Sequence, residues 1–325
     1  MGQKLNFVIA GCGNIAIRHA AAITHCGRLL AVCDSNPLAA AQLARQYDCA
    51  AYTSLDQMLR EQDAIDVVSI CTPNWLHAPQ SILCMQHGFH VLCEKPMAIS
   101  AADAKNMIEV SEATGKTLFI VKQLRQYPHL IRLKAFIDSC RPGYVTGFRI
   151  NCCWNRDNNY YRDWRGRKKT DGGTLYTQFS HYIDLMIWLF GAVKKFHFTS
   201  DNMQHPYIEF EDCGQLRFTM AAGFSGSFNY SVNADKDKIE NEVSLFTRDG
   251  NTTLSGAFLE NIHSTGITAF NITDTENSTD KSKSHFKVYG EVTAALKGKT
   301  NTATTGADSI QSIQLIETIY NSLQL

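Results

Sequence analysis

Residues 6–16 read NFVIAGCGNIA, a short apolar run followed by a glycine-rich turn and the start of a helix-forming stretch. The spacing Gly11-x-Gly13-x-x-Ala16 between a strand and a helix is typical of a dinucleotide-binding turn. Gly11 makes the turn tight, Gly13 lets the backbone approach a pyrophosphate, and Ala16 allows close packing of helix on strand. Taken alone, the turn is also compatible with an ordinary strand–helix connection.

A carboxylate at the end of the second predicted strand narrows the choice of cofactor. That strand covers residues 29–33 and is followed directly by Asp34. The number of residues between Gly11 and Asp34 is close to that expected for a carboxylate that binds the adenosine ribose. Because a carboxylate repels a 2′-phosphate, we predict NAD rather than NADP. The backbone amides of Asn14 and Ile15, at the helix N-terminus, are predicted to face the pyrophosphate.

Composition and charge exclude several classes of function. The 325 residues contain 31 Lys and Arg against 31 Asp and Glu, so the net charge of zero gives no electrostatic reason to expect a nucleic-acid or membrane partner. No apolar run approaches the roughly 20 residues that span a bilayer. The 11 cysteines include no CxxC pair. They are expected to be free thiols of a cytoplasmic protein without a metal site.

The order of predicted elements indicates two domains. Over residues 1–122, short apolar strands alternate with helices, which predicts an NAD-binding Rossmann domain, a doubly wound parallel α/β sheet. Over residues 123–325, strands dominate, which predicts an α+β domain with an open, mainly antiparallel sheet for substrate binding and oligomerisation. Its last helix, residues 309–323, is expected to pack back against another part of the protein. An open sheet with an uncovered face favours a homodimer or homotetramer.

Two further predictions concern elements of the second domain. Residues 175–190 are predicted to form one helix, with Thr177, His181 and Asp184 on a stripe opposite an apolar stripe. Residues 207–211 are predicted to form a strand. His181 is either a functional-site residue or a core histidine whose hydrogen bonding is satisfied by Asp184.

Two strand ends in the first domain carry polar motifs, CTPNWLH at 71–77 and CEKP at 93–96. Ligands of open α/β sheets bind at the carboxyl ends of the strands, so these groups should face the cofactor. The predicted cofactor residues here are Thr72, Pro73, Asn74, His77, Glu94 and Lys95. The proline after Lys95 fixes the turn that directs this lysine.

The sequence resembles the glucose–fructose oxidoreductase / inositol dehydrogenase / rhizopine-catabolism (Gfo/Idh/MocA) family. The matching segments are GCGNIA, CTPNWLH and CEKP, then DGGTL at 171–175 and SHYIDL at 180–185. The resemblance implies an NAD-dependent dehydrogenase acting on CH–OH groups of sugars. It also implies that Lys95 and His181 flank the reacting carbon as catalytic residues, and that the Lys95–Pro96 bond is often cis.

The sequence departs from the family at one position beside the histidine. The family places an aspartate four residues before it, where this chain has Thr177. A threonine supplies no charge to His181, so Lys95 receives more weight as the acid/base group. A lysine close to a cationic nicotinamide and partly desolvated is suited to that role.

A basic loop over residues 155–170 suggests an anionic substrate. It contains six Lys and Arg among Tyr and Trp, and it is either a solvated loop or a grip for a carboxylate or phosphate. Within this segment and the helix after it, the predicted substrate-binding residues are Tyr160, Trp164, Arg165, Lys168, Lys169, Thr177 and Gln178.

The segment KQLRQY at 122–127 and the WRG…K stretch resemble one subgroup of the family. That subgroup oxidises the 3-hydroxyl of UDP-N-acetylglucosaminuronic acid in bacterial surface-polysaccharide synthesis, and recycles tightly bound NAD with a keto acid. The resemblance implies that Arg125 helps to hold the sugar carboxylate. The alternatives are a dehydrogenase of another sugar or cyclitol, or a non-catalytic nucleotide-sensing protein.

Overall fold

The structure is a computed structural model that describes residues 4–236, 238–267 and 281–324. The chain forms two compact units, Met1–Gln123 with Asp280–Gln314, and Leu124–Thr279 with Leu315–Leu325. The domain predicted over residues 123–325 differs from the second unit, and Leu325, its last residue, lies outside the described residues. The described part of Asp280–Gln314 instead belongs to the first unit, because its helix packs on the apolar core there.

The first unit contains a six-stranded parallel sheet in the order β3-β2-β1-β4-β5-β6. Its strands are β1 Asn6–Ala10, β2 Arg28–Cys33, β3 Ala50–Tyr52, β4 Val67–Ile70, β5 His90–Cys93 and β6 Leu118–Ile120. All residues of β4 and nearly all of β1 and β5 are buried, as expected of central strands covered on both faces. The predicted doubly wound Rossmann sheet is confirmed.

Helices cover the two faces of this sheet. They are α1 Asn14–Cys26, α2 Pro37–Tyr47, α3 Leu55–Glu61, α4 His77–Gln86, α5 Ala101–Thr114 and α10 Lys281–Leu296. Short polar side chains begin several of them: Asn36 accepts a hydrogen bond from Leu38 N–H, and Ser100 accepts one from Asp103 N–H. Helix α10 contributes Tyr289 to the core, where its ring meets Phe7 edge-on at 5.3 Å between centroids.

The second unit contains a seven-stranded sheet in the order β13-β12-β11-β7-β10-β9-β8. Its strands are β7 Val145–Trp154, β8 Val193–Asp201, β9 Cys213–Met220, β10 Ser225–Ser231, β11 Ile239–Thr247, β12 Asn251–Ser255 and β13 Asn261–Thr265. Only the β7–β10 pair is parallel among these described strands. The predicted open, mainly antiparallel sheet is confirmed.

The remaining helices are α6 Pro128–Ser139, α7 Lys168–Asp171, α8 Thr174–Thr177, α9 Ser180–Phe190 and α11 Gly306–Asn321. The single helix predicted over 175–190 is therefore wrong in one respect, because it is broken between α8 and α9. The N–H groups of Gln178 and Phe179 both donate to the carbonyl of Thr174, at 3.0 and 3.2 Å. This wide turn interrupts the regular helical hydrogen-bond ladder.

The strand predicted over residues 207–211 is also wrong, because this segment forms a loop. The carboxylate of Asp212, which is fully buried, accepts hydrogen bonds from the N–H groups of Met203, Gln204 and His205. These bonds fold residues 203–205 around the aspartate. Within the predicted strand, Ile208 N–H donates to the carbonyl of His205 at 3.0 Å and Glu209 N–H to that of Gly166 at 2.8 Å, so loop contacts satisfy these groups. Among the described residues, no helix is both long and apolar enough to cross a membrane.

Candidate functional site

The two glycines of the turn after β1 serve different purposes. Gly11 has φ of +93°, and a Cβ there would lie 2.7 Å from the carbonyl carbon of Cys71. The fold itself therefore requires a glycine at this position. Gly13 has φ of −74°, and a Cβ there would have no heavy atom within 4 Å. Gly13 leaves open space beside the N-terminus of α1, where the free amides of the first turn favour an anion.

Asp34, at the end of β2, is connected to this turn. One carboxylate oxygen accepts the backbone N–H of Cys12 at 2.8 Å, and the other accepts the N–H of Asn36 at 2.8 Å. The side chain remains partly exposed. The structure thus brings the predicted ribose ligand beside the predicted pyrophosphate turn, as dinucleotide binding requires.

His77 links the two motif-bearing loops that follow β4 and β5. Its Nδ1 lies 2.7 Å from the carbonyl oxygen of Pro96, and its Nε2 lies 2.8 Å from that of Thr72. The residue is 1% exposed, and burial lowers its pKa. His77 was predicted to contact the cofactor. The structure uses both ring nitrogens to join the loops instead.

The neighbouring predicted residues lie on the same two loops. Thr72 Oγ1 donates to Gln80 Oε1 at 2.7 Å, Pro73 precedes a single 3₁₀ turn, and Asn74 is buried. Lys95 is partly exposed and the Lys95–Pro96 peptide bond is cis, as the resemblance implies.

Glu94 does not face solvent as its predicted cofactor role requires. It is 7% exposed, its Oε1 lies 2.8 Å from His19 Nε2, and its Oε2 accepts the backbone N–H of Lys95 at 3.1 Å. The carboxylate therefore belongs to a buried network beneath the lysine. This network was not predicted, although His285 and Tyr289 lie four residues apart on α10, a spacing that places them on one helix face.

In the second unit, His181 lies in the first turn of α9 and is 9% exposed. Thr177, four residues before His181 in the sequence, contacts a buried carboxylate. The hydroxyl of Thr177 donates to Asp171, whose carboxylate is fully buried and also accepts Gly166 N–H at 2.7 Å. The buried hydroxyl of Thr177 is thereby committed to the protein rather than to a substrate, which differs from its predicted role.

Arg125 has a protein partner that the sequence analysis did not anticipate. Its Nε and Nη2 donate to the two oxygens of Asp184 at 2.9 and 2.8 Å, and the pair is largely buried. Two of the three guanidinium nitrogens predicted to hold a sugar carboxylate are thus already engaged.

An aromatic–cation cluster, defined by Arg156, Tyr160, Trp164 and Arg165, lies in the basic loop. The guanidinium carbons of Arg156 and Arg165 lie 4.6 and 4.8 Å from the centroid of the Tyr160 ring. Arg165 also lies 4.5 Å from a Trp164 ring centroid. Within the part of the chain that the structure describes, neither guanidinium has a carboxylate within 4 Å. Two fixed cations without a counterion form a surface suited to an anion.

The other predicted substrate residues differ in exposure. Gln178 is 1% exposed, and its Nε2 lies 3.3 Å from the hydroxyl of Tyr161. Its Oε1 is buried and has no hydrogen-bond partner among the described residues. Lys168 and Lys169 are exposed on α7. The structure therefore holds Gln178 in the interior and leaves the two lysines in solvent.

The chain is similar to several proteins of known name or structure. A WlbA dehydrogenase from Bordetella pertussis, solved in complex with NADH and UDP-GlcNAcA, is 30% identical, with 99% of this chain and 97% of that chain covered and a TM-score of 0.89. Oxidoreductase P35 from Formosa agariphila is 27% identical over 73% of this chain and 76% of its own length. Levoglucosan dehydrogenase from Pseudarthrobacter phenanthrenivorans is 30% identical over 49% of this chain and 42% of its own length.

Two family models match consecutive parts of the chain. Residues 5–122 match the oxidoreductase family model with an NAD-binding Rossmann fold, and residues 130–253 match the GFO/IDH/MocA C-terminal domain. These matches, which include the glycine turn and the Lys95 strand end, show that the chain belongs to the GFO/IDH/MocA family of NAD-dependent oxidoreductases.

Proposed function

We propose that the chain oxidises the 3-hydroxyl of UDP-N-acetylglucosaminuronic acid with NAD, as a step in surface-polysaccharide synthesis. The observation that carries this proposal is the aromatic–cation cluster, whose two arginines lack a carboxylate partner among the described residues. A nucleotide sugar with a uronate and a diphosphate supplies anions for such a cluster, and flat rings supply stacking partners. The relative solved with UDP-GlcNAcA supports this substrate class.

The residues that would hold NAD are those of the first unit. The open space at Gly13 and the amides of Asn14 and Ile15 fit a pyrophosphate, and Asp34 fits the adenosine ribose. Bound NAD supplies the hydride acceptor. In this proposal the loop of Thr72, Pro73 and Asn74 and the loop of Lys95 line the cofactor site. His77 joins the two loops.

The proposed chemistry assigns the proton to Lys95. Oxidation of a secondary alcohol breaks one C–H bond, whose hydride goes to NAD, and one O–H bond, whose proton goes to a base. In the proposed mechanism a neutral Lys95 amine accepts that proton, and His181 donates to or orients the same oxygen. The buried carboxylate of Asp171 accepts the hydroxyl of Thr177 and helps to fix the end of α8, the short helix that precedes His181.

A second candidate is a dehydrogenase of an uncharged sugar or a cyclitol. The similarity to levoglucosan dehydrogenase favours it, although that match spans less than half of either chain. The two candidates differ in whether the substrate carries an anion. Purified protein should therefore be assayed by NADH absorbance with UDP-N-acetylglucosaminuronic acid, UDP-N-acetylglucosamine and levoglucosan.

We expect turnover with the uronate and much weaker turnover with UDP-N-acetylglucosamine, which lacks the carboxylate. Arg165→Ala should raise KM for the uronate about tenfold or more, because a charge-assisted contact is lost. Arg162→Ala, an exposed arginine of the same loop, is the matched control and should leave KM within about twofold. Preference for levoglucosan would support the second candidate, and no turnover with any substrate would favour a nucleotide sensor.

Lys95→Ala tests the catalytic assignment directly. We expect turnover to fall roughly 10²–10⁴-fold while NAD still binds, because a positioned acid/base group is removed. Lys105→Ala, an exposed lysine on α5, should leave turnover unchanged. Near-normal turnover of Lys95→Ala would contradict the assignment of Lys95 as the acid/base group.

The proposal extends to assembly and cofactor handling. We propose a cytoplasmic homodimer or homotetramer that retains NAD and recycles it with a keto acid. Light scattering measures the assembly, and a monomer at working concentration would contradict it. Mass spectrometry of the small molecules released on denaturation should detect NAD, and protein that releases none would contradict retention.

A further inference from the structure

A series of hydrogen-bonded, buried polar side chains ends at Glu94, whose carboxylate accepts the backbone N–H of Lys95. Tyr289 Oη lies 2.6 Å from Ser69 Oγ and 2.8 Å from His19 Nδ1. His19 Nε2 lies 2.8 Å from Glu94 Oε1, and Glu94 Oε2 accepts the Lys95 N–H at 3.1 Å. Ser69, His19 and Tyr289 are fully buried, so these contacts are shielded from water.

The donor and acceptor chemistry of these side chains determines the direction of each hydrogen bond in the series. An ionised carboxylate only accepts, so His19 donates from Nε2. Burial, the dominant influence, lowers the pKa of His19, which keeps the ring neutral and its Nδ1 an acceptor. Tyr289 must then donate to His19, and Ser69 donates to Tyr289. All donors point toward Glu94, an arrangement in which each bond strengthens the next.

A second histidine reaches the same carboxylate from α10. His285 Nε2 lies 3.5 Å from Glu94 Oε1, and the ring is 1% exposed. Burial acts to raise the pKa of Glu94, but the imidazole rings of His19 and His285 beside it outweigh burial and hold the pKa well below its usual range. The carboxylate therefore stays ionised in the interior because side chains from α1 and α10 surround it.

A metal ion is the other arrangement that two histidines and one glutamate suggest, since their ligand atoms lie within 4.8 Å of one another. The 2.8 Å separation of His19 Nε2 and Glu94 Oε1 is a hydrogen-bond distance. Two ligands of one tetrahedral zinc lie about 3.3 Å apart, given metal–ligand bonds of about 2.0–2.1 Å. A shared proton fits these two atoms better.

We propose that His19, His285 and Tyr289 are positioning residues for Lys95, acting through Glu94. They hold the carboxylate that fixes the backbone of the lysine, so a helix nearly 200 residues later in the chain sets the geometry of the Lys95 loop. This inference rests on the proposed catalytic role of Lys95. It adds α10 to the elements that determine the rate of the reaction.

The test uses three variants of the full chain and one matched control. Tyr289→Phe removes only the hydroxyl and keeps the ring against Phe7. His285→Leu removes the partner nitrogen, and His285→Gln restores an N–H donor. The control is His25→Leu, because His25 meets Phe286 edge-on at 5.1 Å across the same pair of helices, away from Glu94. Turnover with UDP-N-acetylglucosaminuronic acid, the Kd for NAD, the Tm and hydrogen exchange of the Lys95 amide are measured.

We expect Tyr289→Phe and His285→Leu to lower kcat about tenfold or more, with the Kd for NAD within about threefold of wild type. Exchange of the Lys95 amide should accelerate in both variants. His285→Gln should recover most of the lost kcat, and His25→Leu should keep kcat even where its Tm falls. A merely structural role would lower Tm in all four variants and leave the kcat of the folded protein unchanged.

The outcomes separate this inference from the proposed function. Wild-type kcat and Lys95 exchange in Tyr289→Phe and His285→Leu, together with an inactive Lys95→Ala, would overturn the positioning role alone. An active Lys95→Ala would overturn the proposed function as well. Stoichiometric metal in the purified protein, lost in His285→Leu, would replace the hydrogen-bonded network by a metal site. If His285→Leu does not fold, Tyr289→Phe still decides the question.

Discussion

Arg125 and Asp184 form a two-point ion pair in the second unit, with Nε–Oδ2 and Nη2–Oδ1 distances of 2.9 and 2.8 Å. The side chains are 14% and 4% exposed, and the guanidinium carbon also lies 5.9 Å from the ring centroid of Trp188. The pair joins the segment after the first unit to the middle of α9, the helix that begins next to His181. It therefore supports the site from within the protein.

Breaking this pair should destabilise the second unit. Asp184→Ala should lower the free energy of unfolding by about 3–5 kcal/mol, because a buried guanidinium is left without its carboxylate. The double variant Arg125→Met with Asp184→Leu should recover part of that loss, since neither charge remains. Denaturant titration measures both. Disruption of the exposed Lys134–Asp138 pair on α6 is the control and should cost at most about 1 kcal/mol.

The two glycines of the cofactor turn should respond differently to alanine. Gly11→Ala should lower stability by about 2–5 kcal/mol, because of its positive φ and the clash with Cys71. Gly13→Ala should change stability by less than about 1 kcal/mol but weaken NAD binding at least tenfold, since the added methyl group occupies space meant for the pyrophosphate. Thermal denaturation and NAD titration test the contrast. Equal NAD affinity in Gly13→Ala and wild type would contradict it.

Asp34 should control the choice between NAD and NADP. Asp34→Ala should raise the ratio of kcat/KM for NADP over NAD at least tenfold, because the charge that repels a 2′-phosphate is removed. The variant should also lose some NAD affinity, since Asp34 holds the N–H of Cys12 in the turn. Asp63→Ala, an exposed aspartate before β4, should leave the ratio unchanged. An unchanged ratio in Asp34→Ala would show that this carboxylate is not at the ribose.

Glu211 should make stability depend on pH near neutrality. The hydroxyls of Tyr230 and Tyr320 donate to its Oε1 at 2.8 and 2.7 Å, and burial raises its pKa from 4.5 to about 7. Between these values the folded protein keeps a proton that the unfolded chain has released. The free energy of unfolding should therefore fall as pH rises through this window, by about 3 kcal/mol in total, and level off above it.

Glu211→Gln keeps an acceptor for both tyrosines but cannot ionise. Denaturant titrations between pH 5 and 8, roughly the window in which the carboxyl changes charge, should therefore show a flatter profile for the variant than for wild type. Parallel profiles would mean that Glu211 does not titrate in this range.

Local patterns were sufficient for the first half of the fold. The apolar run before Gly11, the turn itself and Asp34 identified the strand–helix–strand unit, because neighbouring residues form it. Helix α10 was not predicted, and its buried face carries the polar residues His285 and Tyr289. Its partners, His19 and Glu94, are far away in the chain, so no local pattern marks the contact.

The same limit on prediction from sequence applies to the candidate site, as the basic loop and α9 show. The sequence alone marked Lys95, His181 and the cluster of arginines, since residue type and motif order are enough to nominate them. Only the tertiary structure showed that Arg125 is occupied by Asp184, that Asp171 supplies a carboxylate to Thr177, and that Glu94 faces inward. The physical reason is that a polar side chain takes whichever partner the fold brings within about 3 Å, and that partner is not determined by neighbours in sequence.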